Sequence, residues 1–137
     1  MEYIVSGING LLGEPVIFIY LIFGIFMGMV MGAIPGLTAS LAVTLMLPFT
    51  YSMTHTAGIS LLIALYVGGI SGGLISAILL NIPGTPSSLV TCFDGSPMAR
   101  KGQAGVALSL GVFASFIGGI ISAVALIFIS PLMAKVA

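Results

Sequence analysis

The sequence predicts an all-α integral membrane protein of about three spanning helices, with Pro-Gly-broken half-helix segments between them. Three observations carry that prediction. Residues of the AVILMFWYC set make up 59% of the 137 and charged residues only 4%, with a mean hydropathy of +1.32. Soluble domains carry roughly 25% charged residues, because their surface must face water. Three apolar stretches, 16–34, 57–82 and 104–129, each approach or exceed the ~20 residues an α-helix needs to cross the hydrocarbon core. The segments between them are punctuated by Ile-Pro-Gly rather than by charge.

The first element is residues 1–13, where Ile4, Ile8, Leu11 and Leu12 share one helical face. That pattern suits a helix lying at the membrane interface. Glu14-Pro15 reads as a helix start, since proline suits the first helical position and an acid favours the positive end of the dipole. The first span, 16–34, ends at Ile34-Pro35-Gly36-Leu37-Thr38-Ala39-Ser40-Leu41. An apolar piece from Ala39 to Leu47 follows, too short to cross and closed by Pro48. The second span, 57–82, ends at Ile82-Pro83-Gly84-Thr85-Pro86-Ser87-Ser88-Leu89. A short run then reaches Asp94, with Pro97 just beyond. The two Pro-Gly segments share five of eight residues at an offset of 48, which suggests a repeated unit of long helix, break, half-helix and turn. Asp94 to Gln103 reads as a water-exposed loop, in which Asp94 and Arg100 are placed to pair, and the third span is 104–129. Two basic residues in that loop favour the cytoplasmic side, but Lys135 beyond the next span argues the opposite. The whole of 1–137 reads as a single membrane domain.

Charge and cysteine content exclude several function classes. Six charges (Glu2, Glu14, Asp94, Arg100, Lys101, Lys135) with zero net charge leave no footprint for nucleic acid. Cys92 stands alone, so an internal disulfide or multi-Cys metal site is excluded. There is no basic n-region at the N-terminus and no phosphate-binding GxxxxGK[ST]. His55, Cys92 and Asp94 form no pattern of nucleophile and base or of metal ligands. No catalytic residue, metal or cofactor is therefore expected.

Small residues recur every four positions in each span: Gly24, Gly28, Gly32 and Gly36; Gly68, Gly72 and Ser76, beside Gly69, Gly73 and Ala77; and Ala107, Gly111, Ser115, Gly119 and Ala123. Such series let helix backbones approach closely where no hydrophobic effect drives association, so all three spans are expected to face protein along one side. Asn81 continues the line of Gly69, Gly73 and Ala77. It is expected to be a buried amide, acting either as a ligand group or as a structural hydrogen bond to a neighbouring helix.

Broken helices in hydrocarbon need protein or a watery cavity around the break. The freed amides and positive dipole end suit carboxylates, and freed carbonyls suit Na⁺. The expected substrate-binding residues are therefore Pro35, Gly36, Thr38 and Ser40 at the first break, and Asn81, Pro83, Gly84, Thr85, Ser87 and Ser88 at the second. Capping alone is the structural alternative for each hydroxyl.

Four stretches together resemble the large permease of tripartite tricarboxylate transporters, the TctA family: Gly28 to Ala39 with Ile34-Pro35-Gly36-Leu37-Thr38; Leu47-Pro48-Phe49-Thr50; Tyr66 to Pro86, ending Asn81-Ile82-Pro83-Gly84-Thr85-Pro86; and Phe93-Asp94-Gly95-x-Pro97-Met98-Ala99-Arg100-Lys101-Gly102. The resemblance covers about residues 10 to 130. It implies secondary uptake of citrate-like or other carboxylates, coupled to a Na⁺ or H⁺ gradient, by a multi-pass protein of the bacterial inner membrane. It also implies a small membrane subunit and a periplasmic substrate-binding protein as partners. Such permeases are several times longer and repeat their first half, so the chain corresponds to an N-terminal portion of a larger, repeat-built permease. A truncated structural or accessory membrane subunit without transport activity is the alternative.

Overall fold

The computed structural model describes residues 7, 9, 10 and 13–133; the expected interfacial face of Ile4, Ile8, Leu11 and Leu12 lies outside them. Among the described residues, five α-helices follow in order from Pro15. They are α1 (Pro15–Ala33), α2 (Ala39–Thr50), α3 (His55–Leu80), α4 (Leu89–Met98) and α5 (Ala104–Met133), with a 3-10 turn at Pro86–Ser88 before α4. Of these, α1, α3 and α5 are long and apolar enough to cross a membrane. With 12 residues, α2 reaches only ~18 Å at 1.5 Å per residue, well short of the ~30 Å hydrocarbon core.

Pro15 occupies the first turn of α1, where its missing N–H is not needed. The fold is organised on the seam between α1 and α3. Gly24 lies against Leu61 and Ala64, Gly28 against Leu65, and Gly32 against Gly69, while Gly68 and Gly72 meet the carbonyls of Ile25 and Met29. Residue numbers rise together along both helices, so α1 and α3 run parallel. Each of these glycines faces backbone, so any side chain would separate the helices. The four-residue glycine series thus form a helix–helix seam, as the spacing predicts.

The half-helix α2 returns antiparallel along α3: Ala39 sits on Gly69, and Thr50 meets Gly58 eleven residues nearer the start of α3. It does not stop at Leu47. Pro48 lies inside it and the helix continues to Thr50, because proline so close to a helix end disturbs only the local turn.

One further expectation is corrected. Asp94 to Gln103 is not a loop. Asp94 to Met98 belong to α4, Ala99 to Gln103 form a wide helical turn, and the chain breaks at Gly102, where φ is +80°. The charged residues there are exposed, but Gly95 is buried against Ile78, and that packing keeps the segment helical. Within this chain the small-residue series of α5 meets neighbours only in its first two turns, where Ala107 is buried and Gly111 packs on Leu74; Ser115, Gly119 and Ala123 beyond them meet none of it.

Candidate functional site

Both Pro-Gly breaks come to rest on the same stretch of α3. At the first, α1 ends at Ile34 in an extended conformation, Gly36 turns the chain with φ +93°, and Thr38 begins α2. A φ of +93° strains any residue with a Cβ. Thr38 Oγ1 accepts the Leu41 N–H at 3.2 Å, and Ala39 packs on Gly69. At the second break, Asn81 adopts the left-handed conformation (φ 57°, ψ 30°) that ends α3. The chain folds back so that Thr85 lies against Gly73, one turn above Gly69. Gly84 is wedged among the Gly32 carbonyl, Ser76 Oγ and Gly73 Cα.

From this shared seat the two short helices diverge. α2 runs back toward the start of α3, while α4 runs on, Gly95 reaching Ile78. Their N-terminal ends, each a source of unsatisfied N–H groups and partial positive charge, stand about one helical turn apart. No ionisable side chain is needed to make this region electropositive.

The hydroxyls divide by role. Thr38 caps α2. Thr85 and Ser88, both buried, cap one another: Thr85 N–H donates to Ser88 Oγ at 3.1 Å and Ser88 Oγ donates to Thr85 O at 2.8 Å. Thr85 Oγ1 and Ser87 Oγ lie 3.1 Å apart. Ser40 and Ser87 are exposed, as are Pro35, Gly36 and Pro83. The structure therefore seats Gly84 and Thr85 on Gly73, with Ser88 bonded to Thr85, and leaves Pro35, Gly36, Thr38 and Ser40 of the first elbow exposed.

Asn81 requires a correction. It is exposed, not buried on the Gly69–Gly73–Ala77 face, because its left-handed backbone ends the helical register that would have carried it there. It opens instead onto a cleft of about 400 Å³ on the far side of the second break, with Pro83 beside it. The opposite wall is one stripe of α4 and its continuation, Leu89, Cys92, Phe93, Ser96, Pro97 and Arg100.

Arg100 is the functional candidate that sequence reasoning missed. Its signal was present: positions 89, 92, 93, 96, 97 and 100 follow the three-and-four spacing of a single helical face. Treating 94–103 as a loop hid that periodicity. Asp94 lines a different cleft, with Thr91 and Met98 of α4 and Ala107 and Leu110 of α5, so the expected pairing of Asp94 with Arg100 is not made. Gly69-Ile70-Ser71-Gly72-Gly73 has the spacing of a hydrolase nucleophile turn, but it lies inside α3, where Ser71 Oγ donates to the Val67 carbonyl at 3.0 Å. It lacks the strand-to-helix elbow that exposes such a serine.

The family described as "Tripartite tricarboxylate transporter TctA family" matches residues 18–137. A protein of Agrobacterium vitis, described as an uncharacterized 52.8 kDa protein in the TAR-I ttuC' 3' region, is 44% identical over 77 residues. That stretch is 56% of this chain and 15% of the relative, so the match spans a small part of the relative's length. No solved structure matches.

Proposed function

Because the chain belongs to the tripartite tricarboxylate transporter TctA family, we propose that it is a membrane permease segment of a binding-protein-dependent secondary transporter that takes up tricarboxylates or related carboxylates, driven by a Na⁺ or H⁺ gradient. One observation carries this reading: the N-terminal ends of two half-helices, starting at Thr38 and Thr85, are seated one turn apart on Gly69 and Gly73 of α3. Opposed half-helix ends inside a membrane offer backbone amides to an anion without a buried cation. The substrate-contacting set is Pro35, Gly36, Thr38 and Ser40 with Asn81, Pro83, Gly84, Thr85, Ser87 and Ser88. Its inner members shape the backbone, and its exposed members line the approach.

The partners are a small membrane subunit and a periplasmic substrate-binding protein of the same transporter, in a bacterial inner membrane. The test is direct. The chain in its natural transporter, with both partners, is reconstituted in vesicles, and uptake of labelled citrate and a panel of di- and tricarboxylates is followed under an imposed Na⁺ or proton gradient. Gradient-dependent uptake is expected. Absence of uptake for every carboxylate tested refutes the reading.

A further inference from the structure

The cleft beyond the second break is lined by three groups able to donate hydrogen bonds and by no carboxylate. The Asn81 amide, the Ser96 hydroxyl and the Arg100 guanidinium all line it. Among the described residues none of the three has a side-chain hydrogen bond to protein, and Asn81 and Arg100 are exposed beside the cleft they line. Ser96 is itself only 4% exposed, which makes the cleft the natural direction for its hydroxyl. No acidic residue is among those lining the cleft. An ionised carboxylate is acceptor-only and pairs with a guanidinium through two parallel hydrogen bonds. A volume of about 400 Å³ is within the range of small-ligand sites.

We propose that this cleft is a carboxylate-binding subsite, distinct from the Gly69–Gly73 seat, in which Arg100 supplies the charge and Asn81 and Ser96 orient the anion. It rests on the transport reading above and deepens it. Pro83 borders the cleft while Gly84, the next residue, faces Gly73 and Gly32, so an anion held here is separated from the two helix ends by the thickness of one chain. The subsite gathers a carboxylate from solution beside the break.

Cys92, the only cysteine of the chain, is partly exposed and lines the same cleft. It is a built-in reporter. The transporter is placed in phosphatidylcholine nanodiscs, where both faces are open, and modification of Cys92 by the anionic reagent methanethiosulfonate ethylsulfonate is read by peptide mass spectrometry. Citrate is expected to slow modification of the wild type. Arg100→Gln is expected to weaken that protection by about tenfold to hundredfold in citrate concentration, the loss typical of a charged hydrogen-bond partner. Arg100→Lys retains part of the protection, and Lys101→Gln retains all of it. Unchanged modification by neutral N-ethylmaleimide verifies that each variant is folded. Wild-type-like protection in Arg100→Gln overturns the proposal, as does absence of protection in the wild type. Protection produced by phosphatidylglycerol without citrate also overturns it and assigns the cleft to lipid headgroups. Uptake without protection refutes the subsite and leaves the transport reading intact; protection without uptake does the reverse.

Discussion

Gly84→Ala is the most incisive perturbation of this fold. Gly84 has no left-handed φ, so alanine is not excluded by its own backbone; the penalty is entirely one of space. A Cβ there would stand 2.7 Å from the Gly32 carbonyl oxygen, 2.7 Å from Ser76 Oγ and 2.8 Å from Gly73 Cα. Ordinary contact begins at 3.4 Å, so all three neighbours must give by more than half an ångström. Ser76 can rotate, at the loss of its 3.0 Å hydrogen bond to the Gly73 carbonyl. Gly32 and Gly73 are backbone on two different helices and cannot. Overpacking of this kind typically costs about 1–3 kcal/mol, and each 1–2 kcal/mol changes the folded-to-unfolded ratio about 5- to 30-fold. The assay is thermal unfolding in detergent followed by circular dichroism, with carboxylate uptake measured in parallel. Gly118→Ala is the comparator: a Cβ there meets nothing within 4 Å, and replacing a mid-helix glycine gains up to ~1 kcal/mol. A Gly84→Ala protein that unfolds with the wild type and transports at its rate would refute the wedged placement of the second break.

Three further outcomes are expected. Thr38→Ala removes the cap on Leu41 N–H and should cost about 0.5–2 kcal/mol in the same melt, whereas Thr38→Ser should restore it; equal stability of all three proteins would mean that the cap contributes nothing. Asn81→Gly should preserve stability and Asn81→Ala should lose about 1–2 kcal/mol, the strain of a left-handed residue, while both lose uptake; normal uptake in both would make Asn81 a helix terminator alone. Gly28→Ala should destabilise more than Gly111→Ala, since Gly28 abuts backbone and Gly111 abuts the movable end of Leu74; the reverse order, read from the same unfolding curves, would contradict the parallel α1–α3 seam.

The spans and the seam were legible because membrane helices declare themselves by composition, and close backbone approach by small residues every four positions. Gly24, Gly28 and Gly32 on one helix and Gly68, Gly69 and Gly72 on the other marked the faces that meet, though the spacing did not say that these two faces meet each other. The family resemblance was legible for a similar reason: long runs such as Asn-Ile-Pro-Gly-Thr-Pro are improbable outside a constrained break. The losses came where one residue changes the register of everything after it. A left-handed Asn81 turns its own side chain off the face that periodicity assigned to it. Charged residues in Asp94–Gln103 read as a loop, although Gly95 packing on Ile78 holds them in a helix. The later part of the α5 series, Ser115, Gly119 and Ala123, meets no element of this chain, because a small-residue series states that a helix can be approached closely, not which neighbour does so.

The distribution of charge around the breaks follows from what a carrier must do when empty. A buried, unpaired cation at the Gly69–Gly73 seat would bind a polycarboxylate strongly, but it would be costly whenever the site lacked its anion. Helix ends avoid that penalty: Thr38 Oγ1 accepts the Leu41 N–H and Ser88 Oγ accepts the Thr85 N–H, and the remaining dipoles carry no net charge. The full charge of Arg100 stands instead at the cleft beside Asn81, where it is exposed; on the proposed reading water compensates it there between binding events. On the proposed reading a carboxylate passes from one strong, hydrated partner to a set of weak, fixed dipoles. On this reading Arg100 governs capture and the paired helix ends govern translocation. Arg100→Gln should therefore raise the carboxylate concentration needed for half-maximal uptake while leaving the maximal rate nearly unchanged, whereas Gly84→Ala should lower the maximal rate. Uptake kinetics of the two variants side by side would show it, and a loss of maximal rate in Arg100→Gln with an unchanged half-saturating concentration would refute this division of roles.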